Sequence, residues 1–344
     1  MTEIDLPDYR VGPGQLITAR SYMIDRFVPD CEIISLPEKT VAGGKLQFRR
    51  GKVSLPAVAT KGRAARLRHS MWPKAHQHID GKILFDLRHH GPDNWAHFLN
   101  NHLPIVFRLC EEASIGWGDV LLVTPADIPA YIRAGAAVFG FETLPTDAAV
   151  SGEGIAFEMT PWTAIRTERA AWVRRPGILE AIRTAPSSGT ALPQRAFLAR
   201  RDTRVIANMH DIEPCLAARG YETIYVEDLS AADQLRLFQD ATEIVAVHGA
   251  ALAPLLYVPP EGPLQHLTEI LPVGHMTDVY RVMAHQVGIS WIGVRGKIKP
   301  DYVTASYRLG DAFKDFSLDS FEVDVVALEQ SLDLAQGARR CNSG

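Results

Sequence analysis

Two patterns of apolar positions divide the chain. From Arg195 to Val294, short solid apolar runs alternate with stretches whose apolar residues recur at helical spacing. RAFLAR (195–200), ETIYVE (222–227), EIVAV (243–247), LQHLTEIL (264–271) and ISWIGV (289–294) predict strands. NMHDIEPCLAARG (208–220), SAADQLRLFQDA (230–241), GAALAPLLYV (249–258) and MTDVYRVMAHQVG (276–288) predict the helices between them. Asn208, Ser230 and Thr277 stand at N-cap positions, Asp233 follows Ser230 as in a near capping box, and Gly220 lies just past a helix end. Such alternation predicts a parallel, doubly wound sheet, which binds ligands at the carboxyl ends of its strands.

The earlier part is less regular. KILFDL (82–87) and DVLLVTP (119–125) predict strands. WAHFLNNHLPIVFRLCEEA (95–113) predicts a helix kinked at Pro104, and IPAYIRAGAAVFGF (128–141) a second helix with a glycine near its end. Before Gly81, runs such as CEIISL and KVSLPAVA predict short strands and loops. APSSGTALP (185–193) is the linker candidate. The expected division is therefore an N-terminal α/β domain over 1–188 and a C-terminal Rossmann-like domain over 189–300. A tail over 301–344 carries VDVVALEQSLDLA and is expected to pack back on the first domain.

Composition narrows the function. The chain has 344 residues, 47% hydrophobic content and a formal net charge of -4. That allows a core for two domains and argues against a general nucleic-acid binder. Lys45 to Arg68 holds eight basic residues and no acid. It reads either as a face toward an anionic acceptor or lipid headgroups, or more simply as solvated surface. Cys31, Cys110, Cys215 and Cys341 lie too far apart for a zinc motif or a disulfide framework, which suits a reducing cytoplasm. The polar start MTEIDLPDYR has no apolar signal segment, and no 18-residue apolar run occurs. The expected place is the cytoplasm, with peripheral attachment to the inner membrane face left open.

The chemistry centres on EIVAVHGAALAPLLYVPPEG (243–262). A strand that runs through small residues into a helix lets backbone amides approach an anion, and His248 adds a donor. Alone, the turn fits a phosphate site or a tight turn with a satisfied histidine equally well. FLARRDTRVIAN (197–208) then puts Arg200, Arg201 and Arg204 at the end of the first strand of the same domain. Guanidinium groups there either meet an anion or are absorbed by Asp202, Asp228 and solvent.

These residues carry a resemblance to glycosyltransferase family 61. Its pattern reads here as Arg200-Arg201, Arg204 and Asn208, then Glu227-Asp228-Leu229-Ser230, Gln234, Leu237-Phe238 and Ala241, then His248-Gly249-Ala250 and Glu269-Ile270. NWAHFLNNHLPIV (94–106) is similar to a further family segment through Asn94, His97, Leu103 and Pro104. Two departures occur: Ala251 replaces a usual glycine and Pro254 a frequent asparagine. The resemblance implies a GT-B-like α/β fold, with two Rossmann-like domains facing across a cleft. It also implies an inverting enzyme using a nucleotide-sugar donor and a glycan or lipid-linked acceptor, in bacterial surface polysaccharide assembly.

On that reading, Arg200, Arg201, Arg204, His248, Gly249 and Ala250 hold the donor diphosphate. Arg200 and Arg201 alternate along the strand, so one of them faces away. Glu269 either accepts the ribose hydroxyls or is a buried carboxylate paired with an arginine. Asn208 is read as a helix cap. The base that activates the acceptor is His97, with Asp93 second, and His89, His90 and Asn94 lie on the acceptor side. No Asp-x-Asp pair occurs, and His76 and His78 have no third ligand, so neither metal nor cofactor is expected. A GT-B-type nucleotide-sugar 2-epimerase and a non-catalytic nucleotide-sugar-binding protein are the competing readings. Gly152-Glu153-Gly154 lacks the third glycine of a dinucleotide fingerprint.

Overall fold

The computed structural model describes residues 1–19, 31–58, 76–158, 168–299 and 316–342. Lys61, Arg63, Arg66 and Arg68 of the basic stretch, and residues 301–315 of the tail, lie outside them. The strands run β1 (Thr2–Leu6), β2 (Tyr9–Val11), β3 (Gly14–Ala19), β4 (Cys31–Leu36), β5 (Lys39–Val41), β6 (Gly44–Leu55) and β7 (Gln77–Asp86). They continue as β8 (Val120–Thr124), β9 (Glu142–Pro145), β10 (Val150–Glu158), β11 (Arg195–Ala199), β12 (Glu222–Tyr225), β13 (Glu243–Val247), β14 (His266–Leu271) and β15 (Ser290–Arg295). The chain forms two compact units: Met1–Tyr9, Val41–Ser187 and Ser230–Ala232 in one, Arg10–Thr40, Ser188–Leu229 and Asp233–Gly344 in the other.

The first unit has a six-stranded sheet in the order β1-β6-β10-β7-β8-β9. Strands β10, β7, β8 and β9 are parallel, and β6 and β1 extend the sheet antiparallel. The chain winds outward from β7 to β9, then returns to β10 on the other flank of β7. Gly152 and Gly154 lie inside β10, where a Cβ would come within 2.5 Å of the Ile79 carbonyl oxygen and 2.8 Å of that of Leu84. They allow close strand packing and form no phosphate loop.

The predicted helix over 95–113 is α1 (Trp95–His97), a π-helical segment (Phe98–His102) and α2 (Leu103–Glu112). Pro104 has no N–H, so the Asn100 carbonyl loses its ladder partner. The guanidinium of Arg169, fully buried, donates to that carbonyl and to Asn101 Oδ1, the latter at 3.0 Å. Helices α3 (Ala130–Val138), α4 (Ala170–Val173) and α5 (Pro176–Thr184) complete the unit. Phe107 packs on Trp117, Phe139 and Phe141 in its core.

The second unit has a seven-stranded sheet in the order β12-β11-β13-β14-β15-β3-β4. All its strands are parallel except the edge strand β4. The winding direction reverses between β11 and β13, which makes that gap the switch point where such sheets bind ligands. Helices α6 (Met209–Ala217), α7 (Ala231–Asp240), α8 (Val279–Val287) and α9 (Val325–Asn342) accompany the strands. Residues 250–257 form a 3-10 helix rather than an α-helix. Pro254 inside it cannot donate to an α-type ladder.

The tail differs from expectation. Helix α9 packs on β3, β4, β14 and β15 of the second unit. Its apolar stripe of Ala327, Leu328, Leu332 and Ala335 enters the same core as Ile17, Phe197, Val245 and Ile292. Asn208 also differs from the reading as a cap: its side chain makes no cap bond. Its Nδ2 donates to Val323 O at 2.8 Å and its Oδ1 accepts from Val323 N at 2.9 Å, which fastens the start of the tail. Among the described residues, no helix is long and apolar enough to cross a membrane.

Candidate functional site

The carboxyl ends of β11 and β13 carry the arginine segment and the His-Gly-Ala turn. Val247, at the end of β13, is fully buried, and the chain leaves the strand at His248. Gly249 adopts φ 156° and lies under Arg200. A Cβ on Gly249 would collide with Nη1 of that guanidinium and stand 3.6 Å from Nη1 of Arg204. Only glycine lets both cations reach the turn. Ala250 then opens the 3-10 helix, whose first amides lack intrahelical acceptors.

Arg200 is held by its own loop: Nε donates to Thr203 O at 2.8 Å and Nη2 to Thr203 Oγ1 at 2.9 Å. Arg204 sits in the left-handed region at φ 57°, an uncommon conformation for a non-glycine residue. It donates to Ser317 O at 2.8 Å and His248 O at 3.2 Å. Among the described residues, no carboxylate lies within 4 Å of either arginine. Burial lowers the pKa of both, and the neighbouring charge of Arg200 lowers that of Arg204 further. The pair forms a half-buried cationic patch with no carboxylate in direct contact among the described residues, and Glu227 and Asp202 act on Arg200 only from farther away.

His248 is 3% exposed and its Nδ1 meets Glu269 Oε1 at 2.5 Å. The other oxygen of Glu269 accepts from Trp291 Nε1 at 2.7 Å. Tyr280 donates from its hydroxyl to Gly249 O at 2.8 Å, and burial raises its pKa. The His275 ring lies 5.0 Å from that of His248. Burial, and next the Arg204 charge, bring the His275 pKa down to about 4, so it is neutral near pH 7.

Two expected donor contacts are corrected. Arg201, just past the end of β11, is exposed and turns outward. Asp228 takes it in a bidentate ion pair at 2.7 and 2.6 Å, and it stacks 3.9 Å over the Tyr225 ring. Glu269 is fully buried, and its oxygens meet His248 and Trp291 rather than an arginine, so it orients His248 from inside the core. Arg200, Arg204, His248, Gly249 and Ala250 come together at the turn.

In the first unit, the acceptor-side candidates follow the carboxyl end of β7. Arg88 grips Asp86 at 2.9 Å through two nitrogens and donates to Ala148 O at 2.9 Å. This fixes the loop's departure from the strand. His89 and His90 are exposed, and His90 has φ 63°. Asn94 is corrected to a helix cap: its Oδ1 accepts from Ala96 N at 2.9 Å and His97 N at 3.2 Å. Asp93 accepts from the Tyr131 hydroxyl through its main-chain oxygen at 2.6 Å. His97 is half-buried beside Gly91.

Sequence reading misses His102. It is buried, hydrogen-bonded to the His90 backbone, and electrostatically coupled to His97 and His90. Burial lowers its pKa to about 4. It also misses Trp291, Tyr280 and Arg169. The first two sit in apolar runs that read as core. Arg169 acts on a carbonyl released by a proline, a pairing that spacing along the chain does not reveal.

A doubly wound sheet binds ligands at its switch point, and here two half-buried guanidiniums stand there. Residues 95–264 match the family model Glycosyltransferase 61, so the resemblance in the motifs is borne out: the chain carries a glycosyltransferase family 61 domain and is a glycosyltransferase. No curated protein matches the chain. The matched span begins at the α1 helix, includes the arginine segment and the His-Gly-Ala turn, and ends at Leu264, before Glu269.

Proposed function

We propose that the protein is an inverting, metal-independent glycosyltransferase that moves a sugar from a nucleotide-sugar donor to a glycan or lipid-linked acceptor. The observation that supports this most directly is the Arg200–Arg204 pair, half-buried at the β11/β13 switch point with no carboxylate within 4 Å among the described residues. A diphosphate supplies the missing charge. As the bond to the sugar breaks, negative charge grows on the leaving phosphate. Preorganised donors lower the barrier by meeting it there. In this reading the guanidiniums of Arg200 and Arg204 and the amides of Gly249 and Ala250 bind that group. His248, fixed by Glu269, adds an imidazole beside them.

Inversion requires a base on the opposite side of the sugar from the leaving group. His97 fills that role in this proposal, with Asp93 second, and His89 and His90 contact the acceptor. The GT-B arrangement, a cytoplasmic setting at a membrane face and a part in surface polysaccharide assembly belong to the same proposal. They rest on the family and not on the site. Calorimetry with UDP, GDP and CDP, with and without EDTA, tests the donor half. Binding that is insensitive to EDTA and lost in Arg204→Ala supports it. No binding of any nucleoside diphosphate sinks it.

A further inference from the structure

A cavity of about 820 Å³ opens where β15 and β3 begin, at the end of the second unit's sheet opposite Arg200 and Arg204. Arg281 and His285, from α8, line it together with the turn at Gly12 and Gly14. Both glycines matter to the wall. A Cβ on Gly14 would come within 2.9 Å of Arg281 Nε, and one on Gly12 within 2.9 Å of His285 Cε1. Their absence of side chains lets the two basic groups lie flat against the backbone.

Arg281 is 6% exposed. Its Nη2 donates to Gly12 O at 2.6 Å and Pro37 O at 2.5 Å, while its Nε has no partner. Among the described residues, no carboxylate lies within 4 Å of it. Asp278, the acid that acts on it electrostatically, is paired with Lys39. Asp333, on the cavity wall, is paired with Arg219 at 3.1 Å. A buried cation without a counter-ion is costly unless an anion reaches it. Ile289 and Leu334 give the same cavity an apolar side.

We propose that this cavity binds a small molecule carrying one oxyanion group, a phosphate or a carboxylate, on an apolar body. One guanidinium with no carboxylate in contact among the described residues, beside an imidazole, matches a single anionic group. The volume is that of small-molecule sites generally. The site stands apart from the β11/β13 edge and does not depend on the donor reading. Trp291 touches both regions: its ring lines this cavity, and its Nε1 holds Glu269.

The test uses the full chain carrying Arg204→Ala, which weakens the other cationic site. Phenyl phosphate, benzoate and uncharged benzyl alcohol are titrated by calorimetry and ligand-observed NMR. Phenyl phosphate or benzoate is expected to bind at least tenfold more tightly than benzyl alcohol, and which of the two binds identifies the oxyanion. Added Arg281→Gln or Ser290→Trp should each weaken that binding at least tenfold. Ser290→Trp fills the cavity mouth and leaves the arginine's anchors intact, so it decides the matter if Arg281→Gln fails to fold. Absence of binding by both anions, equal binding of the alcohol, or undiminished binding in Ser290→Trp overturns the proposal.

Discussion

Glu269 and His248 meet at 2.5 Å inside the second unit, with the carboxylate fully buried. The same carboxylate also receives Trp291 at 2.7 Å, so two donors share one acidic group. Glutamine at 269 has one acceptor oxygen and would turn its amide toward one of those donors. Glu269→Gln should therefore cost about 1–3 kcal/mol in urea unfolding, the usual range for an unsatisfied buried polar group. Adding Trp291→Phe removes one of the two donors. The double variant should lose less stability than the sum of the singles.

Arg204→Ala should weaken nucleoside diphosphate binding by about 10- to 100-fold, in line with about 1.5–3 kcal/mol for a charge-assisted hydrogen bond. Arg201→Ala should leave the affinity unchanged, because Asp228 and Tyr225 already occupy that side chain. Calorimetry on both variants separates the inward arginine from the outward one. Equal losses would contradict the geometry.

Gly249→Ala should abolish tight binding as well. The added methyl must displace Arg200, and the backbone at φ 156° is strained for alanine. With Arg200→Ala in the background, the further effect of Gly249→Ala should shrink, since the two groups act on one another. A binding cycle over the four proteins measures that coupling.

Asn208→Ala should destabilise the second unit by about 1–3 kcal/mol through two lost bonds to Val323. Hydrogen exchange should show the Val323 amide opening first. If Asn208 were a helix cap instead, faster exchange would be confined to the first turn of α6.

Acid should weaken the first unit through His102. Its folded pKa of about 4 lies below the ordinary 6.5, so between those values the unfolded chain holds a proton that the folded chain lacks. Stability from this group is full above about pH 6.5 and falls as the pH drops toward 4. The slope is at most about 1.4 kcal/mol per pH unit. His102→Gln should flatten that part of a pH-stability curve. An unchanged slope would remove His102 as its source.

Strands β13 and β14 of the second unit are legible because each is buried on both faces and reads as a solid apolar run, whereas the edge strand β12 is only half-buried and β3 lies in the irregular early part of the chain. The His-Gly-Ala turn and Arg204 are legible for a related reason: charge and small residues interrupt such runs at the strand ends. Partner choice is harder to see. Nothing local shows that Arg201 pairs with Asp228 while Arg200 does not, or that Glu269 serves an imidazole rather than an arginine. Asn208 and Ser230 look alike as caps, yet Asn208 pairs with a residue more than a hundred positions away. The π-helical segment is hidden too, since Pro104 marks a break without saying which residue will satisfy the freed carbonyl.

Strand β3 completes the second sheet by pairing with β15, although almost the whole chain is made between them. A ribosome releases residues 14–36 long before their partner exists, so they must wait until the β15 strand emerges. Expressing residues 188–344 alone would leave β15 with an open edge, ready to join strands from other molecules. The later unit can therefore be isolated intact only if the early segment comes with it, for instance by circular permutation that brings residues 10–40 behind residue 344.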